Sequence, residues 1–232
     1  MHAPTFRRRS ALLIALTAGL AACNGQEPGG TTSFSVMLKD APGDVQHAVV
    51  TISEVDLVGS GGVHVLTLDF RGYGESGGDK LTDAAQRRAV VQEKWPGDVD
   101  AAYAYLISQK GVDKSHIAAG GASCGVTQSS DLAARHHDIK TLLALSGTAT
   151  DATRTYIAQT PALAIFGAAS EGDAGAAKGI KEILDASKNP RSTVKIYAGT
   201  EHGVPMFAKN PELEPMIVSW LKGQILPKGG TR

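Results

Sequence analysis

Apolar and polar positions alternate along the first folded stretch of this chain. Phe34, Val36 and Leu38 alternate with Ser35, Met37 and Lys39, and Ala41-Pro42-Gly43-Asp44 follows as a turn. Val49, Val50 and Ile52 open a second β-rich run, and Val55 and Leu57 alternate in a third. From Gly61 onward the pattern changes. Short apolar runs at 63–68, 116–119, 141–145, 162–166 and 194–197 predict strands. Between and after them, apolar residues recur at helical spacing. Helices are expected over 96–107 (started by Pro96), after Gly125, over 174–186 and over 213–225. Strands that alternate with helices predict an α/β fold with a mainly parallel sheet and helices on both faces. The chain therefore divides into a β-rich fragment at 34–60 and an α/β domain at 61–232.

Residues 1–22 stand outside that pattern. Arg7, Arg8 and Arg9 precede an apolar stretch at 11–20, too short to span a bilayer as a mature helix. Leu20-Ala21-Ala22-Cys23 then resembles a bacterial lipobox, which implies cleavage before Cys23 and acylation of its thiol. The expected location is the bacterial cell envelope, lipid-anchored to the membrane and facing the periplasm. Cleavage of an ordinary signal peptide after Ala22, giving a secreted protein, is the alternative. Residues 23–33, rich in Gly, Thr and polar residues, read as a tether. With Cys23 lipidated, Cys124 is the one cysteine left, and no intrachain disulfide is expected.

The 23 basic residues balance the 23 acidic ones, so net charge is zero. This argues against a nucleic-acid partner, which would favour a basic patch. No paired His/Cys spacing and no phosphate-cradling glycine loop occurs, so neither metal nor organic cofactor is expected.

The chemistry-bearing motif is Gly121-Ala122-Ser123-Cys124-Gly125, between a predicted strand and a predicted helix. Small residues around a serine allow the sharp turn that holds its hydroxyl clear of the backbone. Ser123 is the candidate nucleophile. Cys124 would be an alternative only with glycine at 122 and 126, where Ala122 and Val126 stand. Its backbone N–H is instead the candidate oxyanion donor. A serine nucleophile needs a base, and His202 in Thr200-Glu201-His202-Gly203 follows the last strand. His136 and His137 end a predicted helix and read as structural, and His64 lies inside a strand. The loop after the 162–166 strand carries two carboxylates. Asp173 is the preferred orienting acid, and Glu171 is the alternative.

These motifs, with Asp69-Phe70-Arg71-Gly72-Tyr73-Gly74-Glu75-Ser76 as a bracing loop, resemble the α/β-hydrolase superfamily on its dienelactone-hydrolase-like side, over about residues 61–226. The resemblance implies a serine hydrolase that cleaves small-molecule ester-type bonds (amide or lactone as variants) through Ser123, His202 and Asp173. It also exposes a gap. The family has three strands and a helix before the Asp69 strand, and a His-Gly loop there supplies the second oxyanion N–H. No His-Gly stands in this place, so impaired turnover is expected. Residues 34–38 could fill the missing strand, but the β-branched 49–52 run suits a crossover helix poorly. Residues 35–55 instead resemble the opening of the DUF4382 family of bacterial lipoprotein domains, for about 25 residues against the ~100 of a sandwich. The competing function is a non-catalytic, membrane-anchored binding lipoprotein carrying a hydrolase remnant left by fusion or truncation.

Overall fold

The structure is a computed structural model that describes residues 34–37, 49–52, 55–57, 64–73, 76–78, 83–110 and 112–225. The leader, the tether and Cys23 lie outside the described residues. Strands β1 (Phe34–Met37) and β2 (Val49–Ile52) pair antiparallel, as do β3 (Val55–Leu57) and β4 (His64–Leu66). Helices α1 (Ala84–Glu93) and α2 (Trp95–Ser108) lead into β5 (Ile117–Ala122). The order then runs α3 (Cys124–Arg135), β6 (Ile139–Leu145), α4 (Asp151–Gln159), β7 (Ala164–Ser170), α5 (Ala174–Ala186), β8 (Thr193–Tyr197), α6 (Pro205–Lys209) and α7 (Leu213–Ile225). Strands β5-β6-β7-β8 form one parallel four-stranded sheet in chain order. The α/β fold with its mainly parallel sheet is as the periodicity predicts.

Two central strands show why their sequence is continuously apolar. In β6, Leu142 and Ala144 join a core cluster with Ile157 of α4 and Ile180 and Ile183 of α5. Leu143 and Leu145 point the other way, onto Met206 of α6 and Leu213 and Ile217 of α7. Ile165 and Ala169 of β7 share the first cluster, and Phe166 and Ala168 the second. Side chains alternate in a strand, so both faces must be apolar when both are covered. Strand β7 also runs on through Gly167 to Ser170, beyond the predicted 162–166. A Cβ at Gly167 would lie 2.6 Å from Leu184 and 2.7 Å from Ile180 of α5, so glycine there serves helix packing and does not end the strand.

The N-terminal strands do not complete this sheet. Strand β1 pairs with β2, and β4 pairs with Val55–Leu57, so neither lies beside β5 among the described residues. The expectation that the 63–68 strand belongs to the main sheet is corrected by this pairing, and 34–37 does not stand in for the missing strand.

The described residues of the 69–76 loop are tied to α2. Arg71 forms a two-pronged ion pair with Asp98, which is 1% exposed, and Nε reaches Oδ2 at 2.8 Å. Its pKa is raised, chiefly by that hydrogen bond. Phe70 stacks on Trp95 at 3.9 Å, and Ser76 Oγ donates to the Asp69 carbonyl at 2.6 Å. His136 Nε2 meets Asp100 at 2.8 Å, and its ring lies 4.0 Å from Tyr103.

Tyr103 closes the far end of this cluster by donating to Asp138. Burial, then that hydrogen bond, then the charge of Asp138 push its pKa up to about 12. A raised folded-state pKa gives stability that is complete below the unfolded value near 10 and is lost as pH rises through about 12. Tyr103→Phe should lower the unfolding free energy at pH 7 by about 1.5–3 kcal/mol, the scale of a hydrogen bond to a charged group. Urea unfolding at pH 7 and at alkaline pH checks this. The difference between wild type and variant should shrink as pH rises through the tyrosine's titration.

Candidate active site

The parallel sheet brings the C-terminal ends of its strands to one side, and the turns after β5, β7 and β8 carry Ser123 with Cys124, Glu171 with Asp173, and His202. Ser123 sits between β5 and α3 with φ 55 and ψ −123. A positive φ on a residue with a Cβ costs about 1–3 kcal/mol and persists only where the surroundings enforce it. Here Ser123 N–H donates to the Leu145 carbonyl at 2.9 Å, and the Ser123 carbonyl accepts from Val126 N–H at 3.0 Å. Two glycines make the turn sterically possible. A Cβ on Gly121 would lie 2.3 Å from the carbonyl carbon and oxygen of Gly125, and one on Gly147 would lie 2.4 Å from the Ser123 carbonyl oxygen.

Cys124 is the first residue of α3, where backbone N–H groups point toward the helix N-terminal end. Its side chain packs toward the Phe70–Trp95 cluster. Cys124 is disulfide-bonded, which corrects the expectation that no intrachain disulfide forms. That expectation followed from assigning the other cysteine, Cys23, wholly to lipid.

Asp173 lies just past β7, as the residue preceding α5. His202 lies past β8, and its Nδ1 is 2.5 Å from Asp173 Oδ2. The Asp173 side chain is 21% exposed and that of His202 39%, so the imidazole remains open to solvent beside a mostly covered carboxylate. Glu171 is exposed, and among the described residues its carboxylate makes no hydrogen bond. Its backbone N–H instead extends the β7–β8 ladder to the Tyr197 carbonyl at 2.7 Å. The structure thus joins Asp173 to His202. Ser123 stands at the same sheet edge, and no hydrogen bond links its Oγ to His202 among the described residues. Contacts of this type are often long before substrate binds.

Several positioning residues carry no motif. Ser170 Oγ donates to the Glu201 carbonyl at 2.7 Å, fixing the loop next to His202. Ser146, at φ 50 and fully buried, places its hydroxyl 3.0 Å from Met206 Sδ, so the segment after His202 reaches across the end of β6. Gly172 N–H donates to the Gly199 carbonyl at 2.7 Å, tying the Asp173 loop to the His202 loop. The one legible hint was the run of small residues ending β7. Among the described residues, no group of three His, Cys, Asp or Glu side chains is arranged to hold a metal ion.

The chain is similar in structure to a Pyrococcus furiosus esterase, Pf2001. Against one crystal form the TM-score is 0.63 at 16% identity, covering 87% of this chain and 97% of the esterase. Against a second the TM-score is 0.60 at 17% identity, covering 84% and 93%. At this identity the likeness shows the fold. No family model and no curated protein sequence matches the chain.

Proposed function

We propose that the protein is a serine hydrolase of ester-type bonds, amide and lactone included. Ser123 attacks the carbonyl carbon while His202 takes its proton. His202 then protonates the leaving group, and water releases the acid by the same steps in reverse. Asp173 holds the His202 ring with Nδ1–H toward its carboxylate, leaving Nε2 for the nucleophile. The Cys124 N–H is one oxyanion donor. The observation that carries this reading is the 2.5 Å Asp173–His202 contact beside a serine held at φ 55. The fold shared with an esterase agrees with it. With no His-Gly loop to offer the second donor, turnover is slow.

A fluorophosphonate probe, which needs an activated serine and little else, tests the proposal. Wild type should label and Ser123→Ala should not. Folded wild-type protein that stays unlabelled would sink the hydrolase reading and favour the remnant-bearing binding protein.

The same reading includes a lipid anchor at Cys23, which holds the domain at the membrane. A thiol that carries lipid cannot also form a disulfide, so Cys23 has two exclusive fates. Expressed with its own leader in a diderm bacterium, the protein should enter the detergent phase, and Cys23→Ser should move it to the aqueous phase. Unchanged partitioning would remove the anchor from the proposal. Among the described residues no helix is long and apolar enough to cross a membrane.

A further inference from the structure

Among the described residues, two that are not glycine hold a positive φ, Ser123 at 55 and Ser146 at 50. The first is the elbow. The second follows β6 directly and is fully buried, and two local costs meet there. A left-handed backbone is unfavourable for a residue with a Cβ, whereas glycine adopts it freely. The hydroxyl is also poorly served. Its hydrogen-bond partner among the described residues is Met206 Sδ at 3.0 Å, and a thioether is a weak acceptor. Met206 is itself wholly buried, in an apolar cluster with Leu145, Phe166, Leu213 and Ile217. Glycine would remove both costs, so stability alone does not account for serine at this position. Local rules are broken in this way where function needs a particular geometry.

The contacts of Ser146 and its chain neighbours reach both the nucleophile and the base. On one side is the elbow. The Leu145 carbonyl accepts the Ser123 N–H at 2.9 Å, and Gly147 has no room for a Cβ beside the Ser123 carbonyl oxygen. Ser146 N–H donates to the Ala168 carbonyl of β7 at 2.8 Å, which fixes this segment to the sheet. On the other side is the base loop. Met206 N–H donates to the Gly203 carbonyl at 3.0 Å, and Gly203 follows His202. From Ser123 to His202 a path thus runs through Leu145, Ser146, Met206 and Gly203, each step a hydrogen bond or a peptide bond. Asp173 orients the ring from the end of β7 and does not tie the loop to Ser123.

We infer that Ser146 is a positioning residue whose hydroxyl, through Met206, sets where the His202 loop stands relative to the Ser123 elbow. Its effect on rate rests on the hydrolase reading. Its effect on the His202 ring rests on the geometry alone, because the loop carries the ring with it.

The test compares Ser146→Gly, Met206→Leu and the double variant. Glycine takes the positive φ without strain, and leucine keeps the volume of methionine while removing the sulfur. Each should therefore fold, as circular dichroism checks, and if one does not, the other carries the comparison. On a p-nitrophenyl ester each single variant should lower kcat about tenfold with KM little changed, less than the ~10² cost of a 1 Å misplacement. The double variant should be within about twofold of the slower single one, because both changes remove the same bond. The ¹⁵N shifts of the neutral His202 ring give a readout that needs no turnover. Wild type should hold the proton on Nδ1, toward Asp173, and the variants should show a mixture with Nε2. A role in packing alone would lower stability and leave both kcat and the ring tautomer of folded protein as in wild type. That result overturns the inference, as do single losses that multiply to about 100-fold in the double variant. Wild-type protein that does not label with a fluorophosphonate sinks the hydrolase reading, and the tautomer comparison then decides the role of Ser146 by itself.

Discussion

Asp173→Asn is expected to lower kcat on a p-nitrophenyl ester by about 10⁴-fold, the cost of a mis-oriented imidazole in a serine triad. The reason is local. The His202 Nδ1 to Asp173 Oδ2 contact is 2.5 Å, and among the described residues no other side chain bonds to that ring. An amide can offer NH₂ to Nδ1, which turns the proton to Nε2, where the serine proton must go. Glu171→Gln should leave kcat within a few-fold of wild type, because its side chain is exposed and makes no hydrogen bond. Steady-state kinetics on both variants decide the matter. The opposite ranking would move the acid's role to Glu171.

Gly121→Ala should also slow the reaction, by about 10²-fold, while touching no reacting atom. Its added methyl would lie 2.3 Å from the Gly125 backbone, with Cα of Gly125 at 2.8 Å. Backbone cannot rotate aside as a side chain can, so the first turn of α3 must move. Overpacking of this type costs about 1–3 kcal/mol. Displacing the nucleophile by about 1 Å costs on the order of 10²-fold in rate. Fluorophosphonate labelling should slow by that factor in protein that remains folded by circular dichroism. Gly125→Ala is the control, since a Cβ there meets nothing within 4 Å. Labelling at the wild-type rate in Gly121→Ala would show that the elbow does not depend on that close approach.

The sequence by itself determined the α/β class, because apolar runs of strand length, bounded by turn residues, alternate with longer segments at helical spacing. Helices α5 and α7 have the bounds read from periodicity, Ala174–Ala186 and Leu213–Ile225. The elbow was legible because its steric demand falls on consecutive residues. Helices α1 and α4 were not predicted, although Asp83 caps the first through the N–H groups of Ala85 and Gln86, and Thr150 caps the second through Thr153 N–H. Their apolar faces are thin: no residue of α1 is buried, and only Thr153 and Ile157 of α4 are. Periodicity is silent where little is buried, and caps were the remaining signal. Two matters rested on tertiary structure. The sequence preferred Asp173 over Glu171, but the contact of Asp173 with His202 depended on how the loops after β7 and β8 approach each other, through Gly172 to Gly199 and Ser170 to Glu201. The open edge of β5 depended on which strands pair. Pairing is a choice among segments of similar β-propensity, and here 34–37 meets its chain neighbour 49–52 and 55–57 meets 64–66, in place of the more distant β5. Propensity acts within a segment, whereas partner and edge are decided between segments far apart in the chain.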